Sequence, residues 1–556
     1  MARRPPTHHR TAGSHGVPGR RASADRVAVA AALALLAMPA CGSRPARFAD
    51  RPPVLAAADT APISVPLVRR SVVPVILADV YVRRALVRAL DPRRTPDAAD
   101  VSSLDEVVAS SWYAPPARAA EPLAGCTSDG PPEEPLVPTG RPVASDTPRA
   151  VAVRDRRGLD YELLLDEPHH PAVRSAAAVT ASRLMCALGY RAAETWIAQV
   201  PPTLLGPPHR TLAPGEPPPT PDARGRVRVA AMRWPVGVDL GPTPLRGTRP
   251  DDPNDVVPHV DRRSLRALEL FAAWVELDAV EPRMLRDAYV GVPALGHVEH
   301  FLVDLGGALG ADTLAAAEAE ARNPDRSSNE SFFFKLFTLG MSPTPAPPST
   351  ATPHPGVGQL GEELAPEAFA LSPPYEPGDR LLGSDAYWAA KRLDALPGET
   401  LRAAIAAAEL PAAASTWLAE VLGARRRALL AHGYGATTPL EVANLEPARA
   451  GAGEDAGAGP ALVLADLALA ASLAEPGATH YTVELLDDEG EPVVAPRVLV
   501  ASGPTFRLPL PAGALEGRDY LVVRITSATG DTPRPRPFEA HLRPSADGVR
   551  LLGVRH

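Results

Sequence analysis

The hydrophobic pattern of the chain changes period once between Arg263 and Gly310. In RSLRALELFAAWVELDAVEPRMLRDAYV, the residues Leu265, Leu268, Phe271, Ala272 and Val275 recur at three- and four-residue spacing, with Arg262, Arg263, Arg266 and Glu269 around and between them. That spacing predicts an amphipathic helix. Asp278 follows on a short irregular segment. Phe301-Leu302-Val303 then reads as a strand ending in Asp304-Leu305-Gly306.

Upstream, Ile76, Val80, Leu86, Val87 and Leu90 predict a helix within 72–91. Ser102 or Ser103 before Asp105 and Glu106 offers a helix cap, and Trp112 and Tyr113 read as anchors on the next domain. AVAVRDRRGLDYELLLD (150–166) reads as a β-hairpin turning at Gly158. A helix over 173–188 stops at Gly189, and strands follow at 196–200 and 226–234, separated by a Pro-rich loop. Downstream of the central stretch, a Pro-rich insert (342–377) precedes helices at 385–394, 398–408 and 412–432. A Gly/Ala linker follows, and beyond it the period becomes two, which predicts an all-β domain of sandwich type.

Composition adds bounds. The 556 residues suffice for several domains, and 66 prolines with only 5% aromatic residues assign much of the chain to loops. A net charge of −8, with no long basic run after the N-terminus, points away from nucleic acid. The three cysteines, Cys41, Cys126 and Cys186, form no C-x-x-C pair. Cys126 falls in a polar loop and Cys186 in an apolar helical pattern, as a buried thiol would, so no disulfide framework is expected.

The N-terminus carries six arginines within residues 1–26, an apolar run VAVAAALALLAMPA (27–40), then Cys41. The run is too short to span a bilayer. It resembles a bacterial lipoprotein signal with Cys41 as the lipidated residue, and the departures, Met38 and Pro39, leave an ordinary secretory signal as the alternative. Both imply export; the first implies a lipid anchor in the cell membrane or outer membrane, with the mature chain outside the cytoplasm.

DVSSLDEVVASSWY, VAVRDRRGLDYELLLD, AVTASRLMCALGY, DDPNDVVPHVDRRSLRALELFAAW, HFLVDLGGALG and DAYWAAKRL resemble an uncharacterised family of bacterial exported proteins with a kinase-like core, distantly related to HipA-like kinases. The resemblance implies an α+β fold: a two-lobed protein-kinase-like core followed by the β-sandwich-like domain. The parts are a leader (1–40), a tether (41–70), an N-terminal helical extension (71–149), a small lobe (150–236), a large lobe (237–447), a linker (448–459) and the β domain (460–556).

Carried over by position, the resemblance puts the phosphate-binding lysine at Leu164 and its partner glutamate at Ala178, so both halves of one ion pair are apolar. The loop aspartate is present as Asp278 and the metal-binding aspartate as Asp304. The metal-binding asparagine falls at Arg283 or Met284, neither a Mg²⁺ ligand. No G-x-G-x-x-G loop is read along the chain, and Gly158 stands alone in its hairpin. The resemblance thus implies a pseudokinase without cofactor, with residual Mg²⁺ or Mn²⁺ binding at Asp278 and Asp304, acting as a scaffold for an envelope protein partner. The alternatives are an atypical kinase using Asp278 and Asp304 with Arg183 or Arg233 as its cation, and a purely structural envelope lipoprotein. Three other groups are set aside: His297 and His300, with Glu299 between them, suggest a metal site but lie on opposite faces of one strand, while Asp166 with His169 and His170 read as solvated loop residues and Arg425 to Arg427 as a solvated helix end.

Overall fold

A computed structural model of the chain describes residues 46–69, 95–116, 121–141, 149–207, 217–281, 284–315, 352–447, 459–545 and 548–556. The leader, Cys41, the helix expected over 72–91, Arg283 and most of the linker lie outside these residues. The described chain is mixed helix and sheet, with several antiparallel sheets.

The first sheet begins with β1 (Val137–Pro138), β2 (Ala150–Arg154) and β3 (Asp160–Leu165). The β2–β3 turn closes as expected at Gly158, whose φ of 82° suits glycine. Asp155 holds the turn by accepting the Arg157 and Leu159 N–H groups, each at 2.9 Å. Helix α1 (Val173–Ala187) and strands β4 (Thr195–Val200) and β5 (Val227–Arg233) complete an antiparallel sheet in the order β1-β2-β3-β5-β4. Tyr161, Leu163 and Leu165 enter one core with Val151, Val153 and Val229. Leu164 enters the opposite core with Ala178 and Val179 of α1. β3 is covered on both faces, which explains its unbroken Leu-Leu-Leu run.

Strand β6 (Val238–Pro242) leads to the helix expected from Arg263, which forms as two short helices, α2 (Arg263–Arg266) and α3 (Leu268–Trp274). β7 (Leu285–Val290) and β8 (His297–Leu302) join β6 in a three-stranded sheet. The later helices form where the pattern predicts: α4 (Gly383–Asp394), α5 (Gly398–Ala406) and α6 (Ala412–Gly435). One apolar core joins α1, α3, α4 and α6, with Phe271, Trp274, Tyr387 and Trp388 each no more than 1% exposed. The Pro-rich insert is part of this core, because Val357, Leu360, Leu371 and Tyr375 are buried in it.

The β module starts earlier than expected. β9 (Leu440–Glu446) precedes the linker yet pairs with β10 (Ala461–Asp466), so the Gly/Ala segment connects two strands of one sheet rather than two domains. Helix α7 (Leu467–Ala470) follows β10 and packs on α6. Strands β11 (Thr479–Leu486), β12 (Arg497–Val500), β13 (Thr505–Pro509), β14 (Leu521–Thr529), β15 (Thr532–Pro533), β16 (Phe538–Ser545) and β17 (Gly548–Arg555) complete the module. Sheet β13-β10-β9 and the six-stranded sheet around β14 share one core. The module is docked on the helices, although the linker reading expected two modules moving semi-independently. Lys391 pairs with Glu441, Arg534 donates to the Tyr434 carbonyl at 2.6 Å, and His556 reaches Asp105 at 2.8 Å.

Two further expectations are corrected. The described part of the expected tether, 46–69, is a strap: Asp50 pairs with Arg543 and Arg550, Asp59 accepts the Ser111 N–H and hydroxyl at 2.8 Å each, and Ile63 bridges to Gly296. The described part of the expected helical extension holds β1, turns and bridges but no helix. There Ser102 accepts the Leu104 N–H and caps a turn instead.

Candidate functional site

Leu164 and Ala178 are 0% and 1% exposed and belong to one apolar cluster with Val303, the residue before Asp304. The two positions assigned to an ion pair are therefore neighbours in space. Neither side chain offers a charge or a hydrogen bond.

Asp304 sits at the end of β8 with φ 50°, a conformation that costs a non-glycine residue free energy. Both its carboxylate oxygens accept from Nη2 of Arg174, at 2.8 and 3.0 Å. The side chains are 5% and 14% exposed. Burial alone would lower the pKa of Arg174, but Asp304 and Asp312 outweigh it and raise it. Arg174 lies in the first turn of α1, so the guanidinium reaches from that helix to the loop after β8.

Asp278 occupies the loop after α3. It accepts the Thr313 hydroxyl, and its carboxyl is raised by burial, with the Thr313 bond and Arg425 opposing. The two aspartate-bearing loops abut. The Leu309 N–H donates to Val275 O at 2.6 Å and the Gly310 N–H to Glu276 O at 3.2 Å. Glu276 and Leu309 also have positive φ, 46° and 56°. Among the described residues, Asp278 and Asp304 nevertheless share no bonding partner.

Arg425 overturns the expectation of a solvated helix end. It is 2% exposed, and it donates to Trp274 O at 3.0 Å, Ala273 O at 2.5 Å and Gly361 O at 3.0 Å. It also pairs with Glu276. Two of these acceptors are end carbonyls of α3, which have no partner within the helix. Arg425 therefore fixes the loop that carries Asp278.

A second element was missed in the sequence. Gly356-Val357-Gly358-Gln359-Leu360-Gly361 matches the spacing G-x-G-x-x-G, within the Pro-rich insert. Among the described residues it neither follows a strand nor opens a helix, so it lacks the context of a nucleotide-binding loop there. It crosses the Asp304 loop backbone to backbone, with the Gln359 N–H donating to Gly310 O at 2.9 Å. A side chain at Gly358 or Gly310 would collide with the other strand of this crossing. Gly356 lies against Ala172, before α1, and Leu410, after α5. Helix α5 packs across α1, and Arg228 of β5 donates to Ala408 O.

The Asp252–His259 phrase builds a buried ionic hub. Asp255 accepts from Arg262 at 2.9 Å and from the Arg249 N–H at 2.7 Å, and meets His259 Nε2 at 2.6 Å. Burial pushes its carboxyl up, but these partners hold it well below the usual range. Asp287 of β7 accepts from Arg249 at 2.6 Å and meets His300 Nδ1 at 2.8 Å, while Trp112 stacks on His300 at 3.8 Å between centroids. These residues join the segment before α2 to the β6–β8 sheet.

No family model, no curated protein and no solved structure matches this chain.

The remaining expected residues are placed as follows. Arg233 is spent on Asp129 at 2.8 Å and on the carbonyls of Asp160 and Trp234. Arg183 lies over Trp196 at 4.6 Å. Neither contacts Asp278 or Asp304. Met284 is buried, and its carbonyl accepts the Val303 N–H. His300 is buried and His297 lies partly exposed beside Glu299. Asp166 is not a solvated loop residue, since it accepts the Ser175 N–H and hydroxyl at 2.7 and 2.9 Å and so caps α1. Among the described residues no three His, Cys, Asp or Glu side chains form a metal-sized group, and no helix is long and apolar enough to cross a membrane.

The cysteine expectation is overturned. Cys126 and Cys186 form a disulfide with Cα atoms 5.9 Å apart. It fastens the 121–130 loop to the C-terminal end of α1.

Proposed function

We propose that the chain is an exported, lipid-anchored protein of the cell envelope whose kinase-like core has lost phosphoryl transfer and serves as a binding or scaffolding module. The observation that carries the reading is the Arg174–Asp304 pair. An aspartate meant for a metal ion must have its oxygens free, and here one guanidinium holds both. A divalent ion would have to displace a buried cation that Asp312 also attracts.

Three further features support the loss. Leu164 and Ala178 remove the cation that phosphoryl transfer needs on the nucleotide phosphates. The segment Gly356–Gly361 packs against Ala172 before α1 and against Gly310 of the Asp304 loop, so chain rather than open space lies between them. Arg183 and Arg233, the substitute cations of an active reading, are held elsewhere. The Cys126–Cys186 disulfide supports export, because such bonds persist in oxidising compartments and are rare in reducing ones.

Two assays on one strain test this. Growth with labelled palmitate is expected to label the wild type and not Cys41→Ala, with the protein in the membrane fraction. Incubation of the purified chain with γ-labelled ATP and Mg²⁺ or Mn²⁺ is expected to transfer no phosphate to itself or to a general protein substrate. Transfer that disappears in Asp278→Asn would overturn the pseudokinase reading, and a soluble, unlabelled wild type would overturn the anchor.

A further inference from the structure

The junction between the β module and the helical core forms an open cavity of about 860 Å³, walled by the strap, the 95–105 segment, the start of α4 and strands β14, β16 and β17. Its size is that of small-molecule sites, which occur preferentially at such junctions. None of the residues discussed for phosphoryl transfer lines it.

Four guanidinium groups face this space, and they are not equally satisfied. Arg263 is spent on Asp105 at 2.8 Å and Asp385 at 3.1 Å. Arg524 is spent on Glu539 at 2.8 Å. Arg536 bonds the Ser384 hydroxyl at 3.1 Å and the main-chain oxygen of His556 at 3.2 Å, while Asp97 is 3.9 Å away with its side chain 81% exposed. The Arg555 side chain meets no carboxylate among the described residues; its partner is the ring of Phe48, 4.5 Å from the guanidinium carbon. Phe48 is itself held in place. Its N–H donates to the Tyr520 hydroxyl at 2.8 Å, and its ring stands edge-on to His541 at 4.9 Å.

Arg555, without a carboxylate partner among the described residues, and Arg536, whose one acidic side-chain partner there is the exposed Asp97 at 3.9 Å, share one cavity beside a held aromatic ring, and together suit an anion with an apolar part. A guanidinium presents paired N–H donors that match a carboxylate or phosphate, and charge-assisted bonds of this kind exceed neutral ones in strength. We propose that this cavity binds a small organic anion, with Arg536 and Arg555 holding its carboxylate or phosphate group and Phe48 covering its apolar part. Because the walls belong to both the module and the core, the bound anion tightens their junction.

Calorimetric titration of the purified chain with citrate and with inorganic phosphate, against sodium chloride at matched ionic strength, tests the proposal. Saturable binding of either probe is expected, weakened about tenfold or more by Arg555→Ala and by Arg536→Ala. Citrate alone would assign the site to carboxylates, and phosphate alone to phosphate esters. Binding of neither probe overturns the proposal, as does affinity unchanged in Arg555→Ala. Arg555 takes no part in an ion pair among the described residues, and Arg555→Lys, which keeps the charge over the Phe48 ring but loses the paired N–H donors, decides the matter even if either alanine variant loosens the junction.

Discussion

Arg174 and Asp304 are 130 positions apart in sequence and hold each other with little water in reach. Breaking such a pair from one side strands a buried charge, at a cost of about 3–5 kcal/mol. Arg174→Met is therefore expected to lose that much in urea unfolding, and the double variant Arg174→Met with Asp304→Leu to regain most of it. A single variant as stable as the wild type would remove the clamp from the account. Glu269 makes a prediction about pH. Burial, then the nearby Asp379, raises its carboxyl from 4.5 to about 7. The folded protein keeps this proton to higher pH than the unfolded chain. Its stabilising contribution is thus full below pH 4.5 and is lost as pH rises through about 7. Glu269→Gln should raise the unfolding midpoint at pH 8 and leave it nearly unchanged at pH 4; a gain equal at both values would contradict this origin. Asp278 and Asp304 were singled out by their order along the chain alone. Arg174 was not, since nothing local to α1 says which of its polar residues faces a loop so distant.

The elements with one dominant period were legible: the β2–β3 hairpin, α1, and α4 to α6 form where apolar spacing puts them. Errors arose where composition stood in for contacts. A Pro/Ala-rich stretch reads as a tether, yet residues 46–69 are pinned by Asp50 and Asp59. A Gly/Ala run reads as an interdomain linker, yet it joins two paired strands. Arg425 reads as surface, yet it closes the end of α3. The disulfide is the element-scale feature with the largest expected effect. It closes a loop between positions 60 apart, for which chain entropy gives about 4 kcal/mol. Cys126→Ser with Cys186→Ser should lower stability by about that amount, measured by denaturant unfolding against the oxidised wild type. An equal midpoint would mean that the bond adds nothing to the fold.

At the scale of the whole molecule, the strap, the helical core and the β module are fastened to one another by side chains from distant parts of the sequence. Lys391 with Glu441, His556 with Asp105 and Asp50 with two arginines are examples. Helix α5 lies on α1, and the Gly356–Gly361 segment lies on the Asp304 loop. On the proposed reading these contacts hold a surface for a partner, and no nucleotide or metal site stays open between them. The measurement that tests this most directly is thermal unfolding of the wild type with ATP and Mg²⁺ or Mn²⁺, with Asp304→Ala alongside. A ligand that binds the folded state raises the midpoint by mass action. The account predicts no rise with any nucleotide or metal. A rise in the wild type that is lost in Asp304→Ala would show that the site still takes its ligand, would contradict a site closed by Arg174, and would reopen the question of catalysis.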